Sequence, residues 1–277
     1  MIIGIDVGTT TTKAVSIENS ASGAAGIVTR KIKSRAQDAI TAATGAFGKL
    51  VLENRIKIES IKKIVITGAG SSKIKDDIFG IPTERVKEID AIGIGGMYLS
   101  GMSNIIITNI GTGTVIIEAG ENGISHFGGS GVGGGTILGL AKKLLPSAEF
   151  NSILELAKTG KVSNVDLLLG DITDTSISFL SGENTASNFG KMLDTASHSD
   201  IALAIINMVY QVIGVLSVFA AKAKNIKRVI VTGNGSKNLI GQKTLSDISK
   251  MYEIEFIYPE LAEYTTAIGA GLSSVNR

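Results

Sequence analysis

The chain has 277 residues, of which 44% are hydrophobic and 19% charged, with a formal net charge of +2. This balance excludes an intrinsically disordered chain and leaves no electrostatic footprint for nucleic acid. Cysteine is absent, which excludes disulfides, thiolate zinc sites and cysteine-held iron–sulfur clusters within the chain.

The opening stretch "IIGIDVGTTTTKAVSIEN" reads as a hairpin: a short apolar strand, a Gly/Thr turn and a second strand rich in β-branched residues. It has no basic leader, and Asp6 stands where a signal peptide would be apolar, so a cytoplasmic protein is expected. Next come a helix in "ATGAFGKLVLEN", a strand with a glycine turn in "KKIVITGAG" and a short helix in "SSKIKDDIFG" that stops at Gly80. In "TERVKEIDAIGIGG", Asp90 reads as the N-cap of a helix over "AIGIGGMYL".

About one hundred residues after the first hairpin, "IIITNIGTGTVIIEAGEN" repeats it. Asn109-Ile110-Gly111-Thr112 stands where Asp6-Val7-Gly8-Thr9 stood. The interval is far too long for a solenoid and points to two lobes of similar topology. The segment "HFGGSGVGGGT", 126–136, has glycine at six of eleven positions and runs into an amphipathic helix. Asp166 and Asp171 read as local capping or turn residues, and His198 as solvated.

The run 201–221 carries no formal charge and is long enough to cross a bilayer, but Asn207, Gln211, Gly214 and Ser217 interrupt it. A helix buried in a core or a dimer interface is therefore expected, and no membrane span. Strand and glycine turn return in "KRVIVTGNGSKN", followed by a helix over 237–252, a strand over 252–258 and a last helix, "TTAIGAGLSSV", that packs back across the lobe boundary. The expected architecture is α/β: two duplicated lobes, 1–100 and 101–277, facing each other across a cleft.

A turn poor in side chains presents successive backbone N–H groups, and a helix N-terminus does the same with its orphan donors; both bind anions. Four such places, 8–12, 111–114, 133–136 and 233–236, spread over both lobes, describe a grip on a polyphosphate from two sides. There is no G-x-x-x-x-G-K-[ST] loop, and the glycines of 128–135 do not follow a strand as a dinucleotide fingerprint requires.

The motifs "GIDVGTTTTK", "NIGTGT", "GGSGVGGGTILGL" and "VTGNGSKN", in that order, resemble the ribonuclease-H-like, actin-like ATPase fold shared by actin, Hsp70 chaperones and sugar kinases. Within it the chain is most similar to type II pantothenate kinases, through Asn109, the Glu88–Ala91 motif, "GGGT" leading into a helix, and "TASNFGK" at 185–191. The resemblance covers essentially the whole chain and implies an ATP- and Mg²⁺-dependent kinase of pantothenate that works as a homodimer.

By the same resemblance, Asp6, Gly8, Thr9, Thr10, Thr11, Thr12 and Lys13 form the first phosphate loop, with Asp6 near Mg²⁺. Thr112 meets the phosphoryl groups and the acceptor. Gly134, Gly135 and Thr136 cradle the nucleotide at a helix start, while Phe150 and Gly235 border the adenine. Glu88 matches the catalytic base, and His126 stands where the family places an arginine on the pantothenate moiety.

His126 and Val115 are departures on the acceptor side. An imidazole lacks the bidentate fork of a guanidinium. The alternatives at this point are an ATPase that drives a partner, like the activators of 2-hydroxyacyl-CoA dehydratases but without their cluster; a kinase of another small hydroxyl acceptor; and a coenzyme A sensor.

Overall fold

The computed structural model describes residues 1–18, 26–35, 38–173 and 181–275. The first lobe runs β1 (Ile2–Val7), β2 (Thr11–Glu18), β3 (Ile27–Arg35), α1 (Ala39–Asn54), β4 (Lys63–Thr67), β5 (Thr83–Arg85) and α2 (Glu88–Ser100). The second runs β6 (Ile105–Ile110), β7 (Thr114–Gly120), β8 (Gly123–Ser130), α3 (Gly134–Leu144), α4 (Phe150–Ala157), the short pair β9 (Leu167–Leu168) and β10 (Thr185–Ser187), then α5 (His198–Ala223), β11 (Arg228–Thr232), α6 (Leu239–Tyr252), β12 (Glu255–Ile257) and α7 (Thr265–Leu272).

The two large sheets have the orders β3-β2-β1-β4-β5 and β12-β11-β6-β7-β8. Read from β8, the second repeats the first strand for strand: two antiparallel hairpin pairings, then two parallel ones. The duplication seen in the hairpin sequences extends to whole sheets.

Local sequence explains most boundaries. The Asp38 carboxylate caps α1 by accepting from the N–H groups of Ile40 and Thr41, and Ala43, Phe47, Leu50 and Val51 put an apolar stripe against the first sheet. Ser197 and Asp200 form a capping box at the start of α5. Helix α5 passes the length and hydropathy test for a membrane span, yet 56% of its most apolar stretch is buried inside the protein. It is the central helix of the second core, packed with Ile106, Ile137, Val231 and Leu245.

Three local expectations change. Residues 71–80 do not form a helix: a 3₁₀ turn spans Ala69–Lys73, and the chain then turns through Phe79 and Gly80 with positive φ. There Asp77 Oδ1 accepts from Thr83 N and Thr83 Oγ1 accepts from Ile78 N, side-chain bonds that compete with helical ones. Helix α2 starts at Glu88 with Lys87 as its N-cap, so Asp90 lies inside the first turn, where the helix dipole favours a carboxylate. Asp166 is no local cap. Fully buried, it accepts from Phe189 N at 2.9 Å and Asn207 Nδ2 at 3.0 Å, as well as from Thr185 and Asn188, and so clamps the segment after β10 onto α5.

The last helix does pack across the lobe boundary, and the crossing is reciprocal: α7 lies on β1, β2 and β4, while α2 lies on β6, β7 and β8. The two helices meet through small residues. A Cβ on Gly269 would sit 1.8 Å from the Ala91 carbonyl oxygen, and one on Gly95 2.0 Å from that of Thr265.

Candidate functional site

Strand register lines up one row of side chains across the first sheet: Thr67 on β4, Asp6 on β1, Lys13 on β2 and Lys33 on β3. Asp6 and Lys13 are both buried, with Lys13 Nζ 3.7 Å from Asp6 Oδ2. Burial pushes the Asp6 carboxyl up and the Lys13 amine down, and each partner's charge works against that effect. The matching row of the second sheet is Thr232, Asn109, Val115 and Gly129, with no charge at all. There Thr232 Oγ1 donates to Asn109 Oδ1 at 3.0 Å, which fixes the amide.

Both rows end against a glycine turn. Gly68 and Gly233 have φ of +86° and +82°, and a Cβ on them would come within 2.6 Å of Asp6 Oδ1 and 2.8 Å of Asn109 Oδ1 respectively. The strand-end polar group and the neighbouring glycine turn are thus one duplicated device, charged in the first lobe and neutral in the second.

The hairpin turns of the two lobes touch. Thr112 Oγ1 lies 2.9 Å from Thr9 Oγ1 and 3.2 Å from Thr10 Oγ1, and Asn234 Nδ2 donates to Thr11 Oγ1 at 3.1 Å. Among the described residues, the N–H groups of Thr9, Thr10, Thr112 and Gly113 make no backbone hydrogen bond. These are the donors available to an anion. Thr12, by contrast, is fully buried, and its hydroxyl has no hydrogen-bond partner among the described residues.

The glycine segment serves these turns. Gly134 N donates to Gly111 O at 2.9 Å and Gly135 N to Thr112 O at 2.8 Å, while Thr136 Oγ1 accepts from Gly133 N at 3.1 Å. A Cβ on Gly133 would meet the Thr112 carbonyl oxygen at 2.6 Å and one on Gly135 the Thr112 Cγ2 at 2.7 Å. The bareness of the segment lets the start of α3 press directly on the second turn. In this arrangement the Gly134 and Gly135 amides hold that turn in place and do not point to open space.

Glu88 opens α2. Its carboxyl is pushed above the ordinary range by burial first, then by Asp6, with Lys13 opposing. It is nevertheless solvent-exposed, so water screens part of that effect. On β8, His126 stands opposite Ile117 of β7; it is exposed, and its imidazole makes no hydrogen bond among the described residues. Phe150 begins α4 and packs partly buried against the second core. Gly235 is pressed by Ile110 and Tyr210, whose hydroxyl donates to the Gly235 carbonyl at 2.7 Å.

A pocket of about 550 Å³ lies elsewhere, between α5, α6 and residues 183–185, and none of the turn residues lines it. Sequence reading missed Lys33 and Glu263, which join the two lobes, while Asn234 lies in the 233–236 turn that it singled out. Nothing local marks Lys33 or Glu263.

A family model described as Fumble matches residues 100–273. A relative from Bacillus cereus (strain AH820), named type II pantothenate kinase, is 32% identical over 287 residues, covering 99% of this chain and 98% of its own length. The chain belongs to the type II pantothenate kinase family. Another type II pantothenate kinase, from Bacillus anthracis, is 35% identical over 78% of this chain and 82% of its own.

Among solved structures, the activator of the 2-hydroxyisocaproyl-CoA dehydratase from Clostridium difficile with bound ADPNP superposes with a TM-score of 0.68 at 18% identity, covering 99% of this chain and 94% of its own. A ROK family glucokinase from Streptomyces griseus in complex with glucose and AMPPNP gives 0.59 at 14%, covering 98% and 97%. These two likenesses show the fold: two α/β lobes of the actin-like ATPase and sugar-kinase type.

Proposed function

We propose that this chain transfers the γ-phosphoryl group of ATP to the primary hydroxyl of pantothenate, giving 4'-phosphopantothenate, the first step toward coenzyme A. The observation that carries the reading is the meeting of the two hairpin turns beside Glu88, whose carboxyl is within electrostatic reach of both Asp6 and Lys13.

Phosphoryl transfer passes through a loose transition state, so an enzyme chiefly positions the reactants and neutralises charge. The unpaired N–H groups of Thr9, Thr10, Thr112 and Gly113 suit that role, with the Thr9, Thr10 and Thr112 hydroxyls beside them and Lys13 adding positive charge from the buried row. Gly8, Thr11 and Thr12 shape the first turn; Gly134, Gly135 and Thr136 hold the second, so their support of the nucleotide acts through it. Phe150 and Gly235 border the base in this reading.

Glu88 accepts the proton of the pantothenate hydroxyl as its oxygen bonds to the γ-phosphorus and the bond to the β–γ bridging oxygen breaks, releasing ADP. Its raised affinity for a proton suits a base. His126 and Thr112 lie on the acceptor side in this reading, beside the uncharged row that carries Val115 and Gly129.

Among the described residues no three His, Cys, Asp or Glu side chains converge to hold a metal. One buried carboxylate, Asp6, fits Mg²⁺, which keeps several waters and binds through one or two carboxylates plus substrate phosphates. When bound, the ion supplies charge neutralisation on the phosphate oxygens. A homodimer, a cytoplasmic location, and the absence of nucleic-acid and membrane partners belong to the same proposal.

The test is Glu88→Gln. Turnover of pantothenate is expected to fall by about 10²- to 10⁴-fold, the usual contribution of a general base. Undiminished turnover overturns the assignment of the base. An ATP-consumption screen over pantothenate, pantetheine, common sugars and no acceptor identifies the hydroxyl used; consumption without any acceptor favours the partner-driving ATPase.

A further inference from the structure

Glu263 lies in a 3₁₀ turn, Ala262–Tyr264, immediately before α7, and its side chain is only 9% exposed. Lys33, at the end of the charged row, donates to its Oε2 at 3.0 Å, and Lys237, from the turn that follows β11, donates to its Oε1. Burial alone would raise the carboxyl, but Lys237 and Lys33 outweigh it and hold Glu263 below the ordinary range.

The same stretch grips the last glycine turn again, because Gly233 N donates to Ala262 O at 2.9 Å. From that turn Asn234 reaches the first phosphate turn at Thr11. One mostly buried carboxylate therefore fastens together the row that carries Lys13 and Asp6 and the turn that carries Gly235.

We propose that Glu263 is a positioning residue for nucleotide binding, bridging Lys33 and Lys237 so that the first phosphate turn and the last glycine turn keep a fixed separation. The inference rests on the kinase reading for the ligand's class, a nucleoside triphosphate. Lysine side chains are long and rotamer-rich, and Lys237 is 62% exposed. A shared buried acceptor gives both lysines one geometry. A role through charge alone has the opposite sign, since removing a negative group beside Lys33 and Lys13 would strengthen the attraction for a polyphosphate.

The experiment is calorimetric titration of the full chain with Mg·ATP, wild type first, then Glu263→Gln, Glu263→Asp and Lys237→Met, with steady-state kinetics alongside. A wild type that binds no ATP overturns the kinase reading itself, before any variant is compared. With binding established, Glu263→Gln is expected to raise the ATP Kd about tenfold, within the range usual for coupling between sites. The pantothenate KM and kcat at saturating ATP stay near wild type, a split that general damage to the fold would not produce.

Glu263→Asp keeps the charge but cannot span both lysines, so it too weakens ATP binding. Unchanged or tighter binding in Glu263→Gln, or wild-type binding in Glu263→Asp, overturns the proposal. Should the Glu263 variants fail to fold, the exposed Lys237→Met carries the test: weaker ATP binding supports the bridge and unchanged affinity overturns it.

Discussion

A carboxylate and an amine buried side by side, Asp6 and Lys13, are costly unless they answer each other, and their 3.7 Å separation shows that they do so only in part. Both retain unused capacity for a ligand's charges. Glu88 sits at the edge of this pair, and its raised carboxyl has two consequences of definite sign. As a base it must be ionised, so kcat/KM is expected to fall as pH drops through its folded value, which lies above the ordinary 4.5.

For stability the sign reverses. A carboxyl whose folded pKa is raised favours the folded state increasingly as pH falls through that value, and its ionised form burdens the fold above it. Glu88→Gln should therefore keep or raise the melting temperature at neutral pH while its turnover collapses. A thermal melt beside the kinetic assay checks both, and a large loss of stability would mark Glu88 as structural. The candidacy of Asp6, Lys13 and Glu88 was legible in the sequence because motif and spacing carry it. Lys33 and Glu263 were not, because their partners stand 20 residues away across a hairpin and 230 residues away respectively.

At the scale of elements, the glycines explain themselves by approach distance. The run 126–136 reads in sequence as a cradle for anions, and the structure gives much of it a packing role first, since α3 presses on the second hairpin turn so closely that no side chain fits between them. The same logic governs the crossing of α2 and α7. Gly269→Ala would drive a methyl group to within 1.8 Å of the Ala91 carbonyl oxygen, backbone that cannot swing aside. We expect a loss of about 1–3 kcal/mol or more, as overpacking of a close contact costs, read as a lower denaturant midpoint. Gly45→Ala, in the interior of α1 where nothing lies within 4 Å, serves as the control and is expected to raise the midpoint slightly, since Ala is favoured over Gly in a helix by about 0.5–1 kcal/mol.

The hairpins and the α5 core helix were legible from periodicity and turn residues, but the caps were not: Asp38 and Ser197 cap α1 and α5, and Asp90 lies inside α2. The missing helix at 71–80 was not, because Asp77 and Thr83 take hydrogen bonds that a pattern of residue types does not display.

For the whole molecule, duplication produced two matching strand-end rows, one charged and one neutral. The first contributes Asp6, Lys13 and Lys33; the second has Asn109, Val115 and Gly129 at the corresponding places. Phe219 of α5 is exposed, and half-buried Leu203, Asn207, Gln211 and Val215 follow one another at helical spacing on the same helix. Light scattering is expected to give the mass of a homodimer, twice 28.7 kDa. A monomer mass independent of concentration would contradict that expectation.

What the sequence determined by itself was encoded mostly in short stretches: the two hairpins and their kinship, the strand–glycine turns, the apolar core helix α5 and the absence of cysteine chemistry. Such features follow from local propensity and short-range hydrogen bonding, which neighbouring residues specify. Only the tertiary structure decided that α2 answers the crossing of α7 with one of its own, that Thr9 and Thr10 meet Thr112, that Asn234 meets Thr11, and that Glu263 joins Lys33 to Lys237. These contacts depend on where whole sheets come to rest. That placement is set by the packing of both cores together, a sum over distant residues that no single stretch of chain contains.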